Sequence, residues 1–247
     1  MIDLAKFDWG WMENLIYIPD GSGSHSVYIN PDGTQIPIGE YHKQGMIKEI
    51  FIDRCYEKYF EVENGDIVVD IGASVGPFTY SILNKKPKHV FCLEPSESEF
   101  SVLVKNTLGY PVTQINKGIS DKNTIVDSEL MFGGEKNMES ITFEKFIKLY
   151  NLKKIDFMKI DCEGGEYHVF TDENFDYIKQ NVKKISGEWH LKTEEEKINF
   201  RNFRDNILNR FPHFQVNSID GIDIKWDLWN EHFIEYYNQI HLFIDNR

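Results

Sequence analysis

Two short runs gather the side chains that could move a proton. "KIDCEGGEYHV", residues 159–169, carries Asp161, Glu163 and Glu166 around a Gly-Gly pair, and "SGEWH", residues 186–190, carries Glu188 and His190. Carboxylate and imidazole are the groups best suited to act as a base, so Asp161, Glu163 and His190 are the candidate catalytic residues. Glu166 reads equally well as a charge at the start of a helix, and His168 as a surface residue one turn into it. Asp161, Glu163, Glu188 and His190 are also of the types that hold Mg²⁺ or a similar ion. No spacing among them demands one, so no metal is expected, and the chemistry is expected to survive chelation.

A second constellation lies upstream in "IVVDIGASVGPFTYSIL", residues 67–83, where an apolar strand ending on Asp70 meets a tight turn and then a helix. Gly72 and Gly76 flank Ala73, Ser74 and Val75, a GxxxG spacing distinct from the GxGxxG of dinucleotide enzymes. Small residues let a ligand approach the backbone, and Pro77 suits the first helical position. "KHVFCLE" then ends a second strand on Glu94, about 20 residues beyond the glycines, the separation at which a carboxylate reaches ribose hydroxyls. Such a carboxylate would repel a 2′-phosphate. The plainer reading makes Glu94 a charge at the start of the helix that "PSESEF" opens.

These residues need a scaffold that brings strand ends together. Strands are expected near 66–71, 88–94, 112–116, 155–161 and 183–189, with helices near 77–84, 96–108, 142–150, 165–180 and 194–210. That alternation implies right-handed crossovers and a doubly wound, mostly parallel α/β sheet. "FQVNSI" and "QIHLFID" are suited to antiparallel pairing, which leaves an insertion near 219–237. Residues 1–44 form an irregular extension in which "NPDGT", Asn30 to Thr34, reads as a turn between short strands. Apolar residues from Met46 to Phe60 recur at helical spacing and open a core spanning 45–247, all within one domain, 1–247.

Composition narrows the partners. Against 40 Asp and Glu stand only 27 Lys and Arg, a formal charge of −13, which would repel a phosphate backbone, so no nucleic-acid partner is expected. The N-terminal stretch lacks the basic and apolar regions of a secretory signal, and no run is long enough to span a membrane. Cys55, Cys92 and Cys162 stand far apart without CxxC spacing and read as thiols in a reducing cytoplasm. Trp9, Trp11, Tyr17, Tyr28 and Tyr41, with Trp226, Trp229, Tyr236 and Tyr237, read as satellite packing more readily than as a lid over a ligand.

"GDIVVDIGASVGPFT", "FCLEPSESEFSVLVKN" and "IDFMKIDCEGGEYHVF", in that order, resemble the FkbM-type family of S-adenosylmethionine-dependent O-methyltransferases over roughly residues 45–190. The family pattern usually has Asn where this chain has Ser74 and an apolar residue where it has Cys162. The resemblance implies a class I, Rossmann-like fold with seven strands, the last antiparallel. It implies S-adenosyl-L-methionine as cofactor, with Asp70, Gly72, Ala73, Ser74 and Gly76 around its methionine and ribose and Glu94 on the ribose hydroxyls. Asp161 is a further candidate contact, to the methionine amine. "NKGISDK" matches the family's adenine loop, with Ile119 as an apolar face and Ser120 or Asp121 as acceptors for the amine.

The expected function is methyl transfer to a hydroxyl of a small molecule, sugar or glycan, in the cytoplasm. The rivals are an NAD-dependent oxidoreductase or epimerase, disfavoured by the GxxxG spacing and the lack of a suitable TyrxxxLys, and a non-catalytic nucleoside-binding protein.

Overall fold

The computed structural model describes residues 3–10, 12, 27–29, 35–122, 125–126 and 138–247. Strands β1 (Val27–Ile29) and β2 (Gln35–Pro37) pair antiparallel; the Asn30–Thr34 turn expected between them lies outside the described residues. Helix α1 (Ile38–Met46) runs into a π-helical turn, Ile47–Ile52, and a 3₁₀ turn, Cys55–Glu57. The helical stripe therefore begins earlier than its apolar spacing suggests. It breaks where Arg54 adopts a left-handed φ of 52°.

Seven strands then build the main sheet: β3 (Ile67–Ile71), β4 (His89–Leu93), β5 (Val112–Ile115) and, after a small three-stranded sheet of β6 (Gly118–Ile119), β7 (Ile125–Val126) and β8 (Met138–Ile141), β9 (Ile155–Ile160), β10 (Val182–His190), β11 (Phe214–Asn217) and β12 (Gln239–Asp245). The order across the sheet is β11-β12-β10-β9-β3-β4-β5. All neighbours are parallel except β12, the last strand, which is antiparallel to both β10 and β11. The expected doubly wound sheet and antiparallel last strand are both observed. The small sheet was not expected, because two-residue strands are too short to display alternation.

Helices α2 (Pro77–Ile82), α3 (Glu97–Asn106), α4 (Phe143–Leu149), α5 (Glu166–Val169), α6 (Asp172–Asn181), α7 (Glu194–Asn206) and α8 (Glu231–Tyr236) connect the strands. Side-chain caps start several: Ser96 for α3, Thr142 for α4, and Thr193 for α7, where Glu196 completes a capping box. The single helix expected over 165–180 is two, because Thr171 is extended and caps α6.

Strand alternation divides the sheet into two faces. On one, Ile71, Met158, Ile160, Ile185 and Trp189 join the largest core cluster, where the Trp189 ring stacks on Phe203 with centroids 5.5 Å apart. The other face is apolar where Val68, Phe157 and Phe243 pack. Towards the carboxyl ends of β3, β9 and β10 it turns polar, through Asp70, Lys159, Asp161, Glu188 and His190, with His241 from β12 paired opposite Glu188. Trp9 packs with Phe7, Met12, Val75 and Val102, whereas Trp226, Trp229 and Tyr236 are exposed. Trp11 and Tyr17, and the side chains of Tyr28 and Tyr41, lie outside what is described. All three cysteines are free thiols, and among the described residues no helix is long and apolar enough to cross a membrane.

Candidate active site

The chain builds β3, β4 and β5 outward in one direction, then crosses back to place β9 on the other side of β3. Ligands of open parallel sheets bind outside the strand ends at such a reversal, and here it falls between Gly72 and Asp161. The seam is tight. Asp161 N–H donates to the Ile71 carbonyl at 3.0 Å, and Gly72 and Ala73 N–H both donate to the Leu93 carbonyl at 3.0 and 2.9 Å. A Cβ built on Gly72 would lie 1.7 Å from the Asp161 carbonyl oxygen. Glycine is thus required there by the approach of β9 as well as by the left-handed φ of 75°.

Glu94 closes the turn from the next strand. Its Oε2 accepts from Ser74 N–H and its Oε1 from Ser96 N–H, each at 2.8 Å. Ser74 holds a left-handed φ of 50° to make this contact; Asn tolerates that region better than most side chains, which gives the resembling pattern a physical reason. Burial, then the Glu99 charge, pushes the Glu94 carboxyl up to about 8 against these donors. Each oxygen retains a lone pair, so the carboxylate fits a ligand offering two adjacent hydroxyls.

Asp70 does not reach the surface of the turn. It is fully buried, accepts from Thr79 Oγ1 at 2.8 Å and pairs with Lys159 Nζ at 3.2 Å from the directly opposite position on β9. Lys159 in turn donates to the Gly72 carbonyl at 2.6 Å. Burial opposes the Lys159 charge, but Asp70 and Asp161 outweigh it and hold the ammonium above its usual range. Asp70 and Lys159 thereby tie the turn to β9 from below.

The loop after β5 comes to the same rim. Asn116 Nδ2 donates to the Glu94 carbonyl at 2.9 Å, and a Cβ on Gly165 would meet the Ile119 carbonyl at 3.3 Å. The Ile119 side chain, however, is packed in the main core. Ser120 Oγ bonds Ser140 Oγ at 2.8 Å, and Asp121 faces solvent beside Lys122.

Beyond β9 the chain turns through Glu163 at φ 51° and Gly164 at φ 96°, a strained corner of the kind found at functional sites. It carries Asp161 and Glu163 to His190. His190 is 1% exposed; its Nδ1 meets Glu166 Oε1 at 2.7 Å. Its Nε2 faces Glu163 Oε2 at 3.6 Å, Glu188 Oε2 at 3.8 Å and Asp161 Oδ1 at 3.9 Å. Burial pushes the imidazole down, but the Glu166 bond and the charges of Glu166, Asp161 and Glu163 outweigh it and raise it to about 9. Burial likewise opposes ionisation of Asp161, and Lys159, His190 and the Tyr56 hydroxyl, 2.7 Å from Oδ2, hold it below its ordinary range. Glu163 also pairs with Lys192 at 2.7 Å.

Four members of this group are not visible as site residues in the sequence: Tyr56, Lys159, His241 and Glu49. His241 Nε2 meets Glu188 Oε1 at 2.8 Å and lies 3.7 Å from Glu49 Oε1. Burial, then the Glu188 charge, raises Glu49 to about 7. Asp70 carried a signal, a lone charge in the apolar strand β3, and Lys159 a weaker one, a charge shared with Asp156 in the otherwise apolar β9; His241 and Tyr56 carried none beyond their type.

The model of the methyltransferase FkbM domain matches residues 38–216. "Methyltransferase 1" of Beauveria bassiana is 25% identical over 200 residues, 65% of this chain and 78% of that protein. The 31-O-demethyl-FK506 methyltransferase FkbM of Streptomyces tacrolimicus is 32% identical over 85 residues, and this match covers 33% of each chain. Among solved structures, a fibrillarin/Nop5p complex superposes over 89% of this chain and 97% of its own with a TM-score of 0.51 at 11% identity. The plantazolicin methyltransferase BpumL in complex with SAH covers 83% of this chain and 84% of its own, at TM-score 0.43 and 13% identity.

Proposed function

Because the chain belongs to the FkbM methyltransferase family, we propose that it transfers the methyl group of S-adenosylmethionine to a hydroxyl of a small molecule, sugar or glycan at the carboxyl ends of β9 and β10. The observation that carries this reading is Glu94, a buried carboxylate with both oxygens fixed by backbone N–H groups beside the Gly72–Gly76 turn. Glu94 would accept from the ribose hydroxyls. Ala73 and Ser74 present backbone to the same ligand, Asp70 and Lys159 hold the turn from below, and the 119–121 loop borders the adenine.

When bound, the cofactor supplies an electrophilic methyl on a sulfonium. The acceptor oxygen would take that methyl, and its proton would pass to a base drawn from Asp161, Glu163 and His190. These residues converge on one side of the strand ends, as alignment of acceptor and methyl requires. Thermal unfolding with S-adenosylhomocysteine, NAD and NADP tests the cofactor class, since a ligand of the native state raises the midpoint by mass action. A rise with S-adenosylhomocysteine alone is expected; a rise with NAD and none with S-adenosylhomocysteine would sink the reading.

A further inference from the structure

Residues 47–57 pack on the apolar part of the charged sheet face through Ile50, Cys55 and Tyr56, and they reach its polar end through Tyr56 and Glu49. Glu49 sits on the π-helical turn Ile47–Ile52, a form found mostly as single turns at functional sites. His241 Nε2 lies 2.8 Å from Glu188 Oε1 and 3.7 Å from Glu49 Oε1, and the Glu49 and Glu188 carboxyls are in hydrogen-bonding contact with each other. Two carboxylates cannot make that contact, because both only accept. It requires a proton on one of them.

The pair is buried unevenly. The Glu188 side chain is 8% exposed and that of Glu49 is 40% exposed, so solvent reaches the shared proton from the Glu49 side. Of the groups that face Glu49, Glu188 on β10 and Asp161 beyond β9 oppose its charge, and His241 on β12 favours it. Cys55 Sγ lies within 4.8 Å of both the Glu49 carboxyl and the His241 ring, and burial keeps that thiol neutral. Lys48, the neighbour of Glu49 in the chain, is paired with Asp53. Glu188 Oε2 faces His190 Nε2 at 3.8 Å, and the Lys192 charge lies near the same carboxylate. We propose that Glu49 and Glu188 share one proton and that this proton latches the π turn to β10 and β12, so that its loss loosens the turn.

Two carboxyls in contact ionise one at a time, and the later ionisation belongs to Glu49, held up at about 7 by burial and then by the Glu188 charge. In a loosened turn Glu49 would return to water and to its ordinary value of about 4.3. A carboxyl raised in the latched state stabilises that state in full below about 4.3; the contribution falls as pH rises and is gone above about 7. The turn is therefore fastened in acid and loosened through neutrality. Tyr56 follows on the same segment and holds Asp161 Oδ2, so loosening would also free one of the candidate bases. The latch itself does not depend on the methyl-transfer reading.

Amide hydrogen exchange of the full chain, read by mass spectrometry on peptides spanning residues 45–57, tests the latch with no ligand present. Glu49→Gln keeps a donor for Glu188 at every pH, and comparing it with wild type at one pH cancels the intrinsic chemical rate. The ratio of wild-type to Glu49→Gln exchange is expected to rise by roughly 3–10-fold from pH 6 to pH 8, the lower end reflecting solvent screening of the half-exposed Glu49. Glu49→Ala, which neither repels nor bonds Glu188, should exchange faster than Glu49→Gln by the same factor at both pH values. Circular dichroism checks that each variant is folded, and either variant suffices, since the ratio of wild type to Glu49→Ala carries the same pH dependence. A ratio that stays constant between pH 6 and pH 8 would overturn the proposal, as would a folded Glu49→Ala that exchanges no faster than Glu49→Gln.

Discussion

At the residue scale, the proposed function rests on side chains whose unused lone pairs face the strand ends. Glu94 makes two backbone bonds and has capacity for two more. Glu94→Ala is expected to weaken S-adenosylhomocysteine binding by about 1–3 kcal/mol, the cost of leaving buried hydrogen-bonding groups without their partner. Calorimetric titration of the folded variant checks it, and unchanged affinity would remove Glu94 from the ribose site. Among His190→Ala, Asp161→Asn and Glu163→Gln, the variant of the base should lower turnover by ~10²–10⁴-fold while cofactor affinity holds. Asp161→Asn should weaken both if Asp161 also meets the methionine amine. Full turnover in all three would leave alignment of acceptor and sulfonium to carry the catalysis.

At the element scale, the seam between β3 and β9 decides whether a site exists. Gly72→Ala should destabilise the fold at or beyond the upper end of the ~1–3 kcal/mol typical of overpacking. The added methyl would meet backbone at 1.7 Å, and φ is +75°. A urea midpoint equal to wild type would show that the seam opens freely. The opposite end of the seam is fastened by Asp156, which accepts from Ile67 N–H at 3.0 Å and pairs with Lys154 and Lys183. Burial opposes its charge, but these partners hold the carboxyl down at about 2. A depressed carboxylate stabilises the fold above its unfolded value of about 3.9 and loses that contribution as pH falls through its folded value. With both lysines half exposed, the contribution is on the order of 1 kcal/mol. Urea unfolding of wild type and Asp156→Asn should differ by that amount at pH 6 and converge near pH 2.

At the scale of the whole molecule, the two sheet faces divide the work. One is a continuous apolar core anchored by Trp189, which is fully buried against Phe170 and Phe203. Trp189→Ala should cost about 3–5 kcal/mol, read from chemical denaturation. The other face changes from apolar to charged along its strands and so ends in a site. The sequence by itself determined much of this. Strand and helix order, the antiparallel last strand, the glycine turn and Glu94 followed from period, turn chemistry and one characteristic spacing, all local signals. The two-residue strands of the small sheet and the break at Thr171 escaped because so few residues cannot establish a period. Asp161, Glu163 and His190 were legible as types and as neighbours, because adjacent parallel strands end side by side, and they do meet. Only the tertiary structure decided that Lys159 lies opposite Asp70, that His241 pairs with Glu188 and that Tyr56 reaches Asp161, since strand register and helix docking set those contacts between residues far apart in the chain.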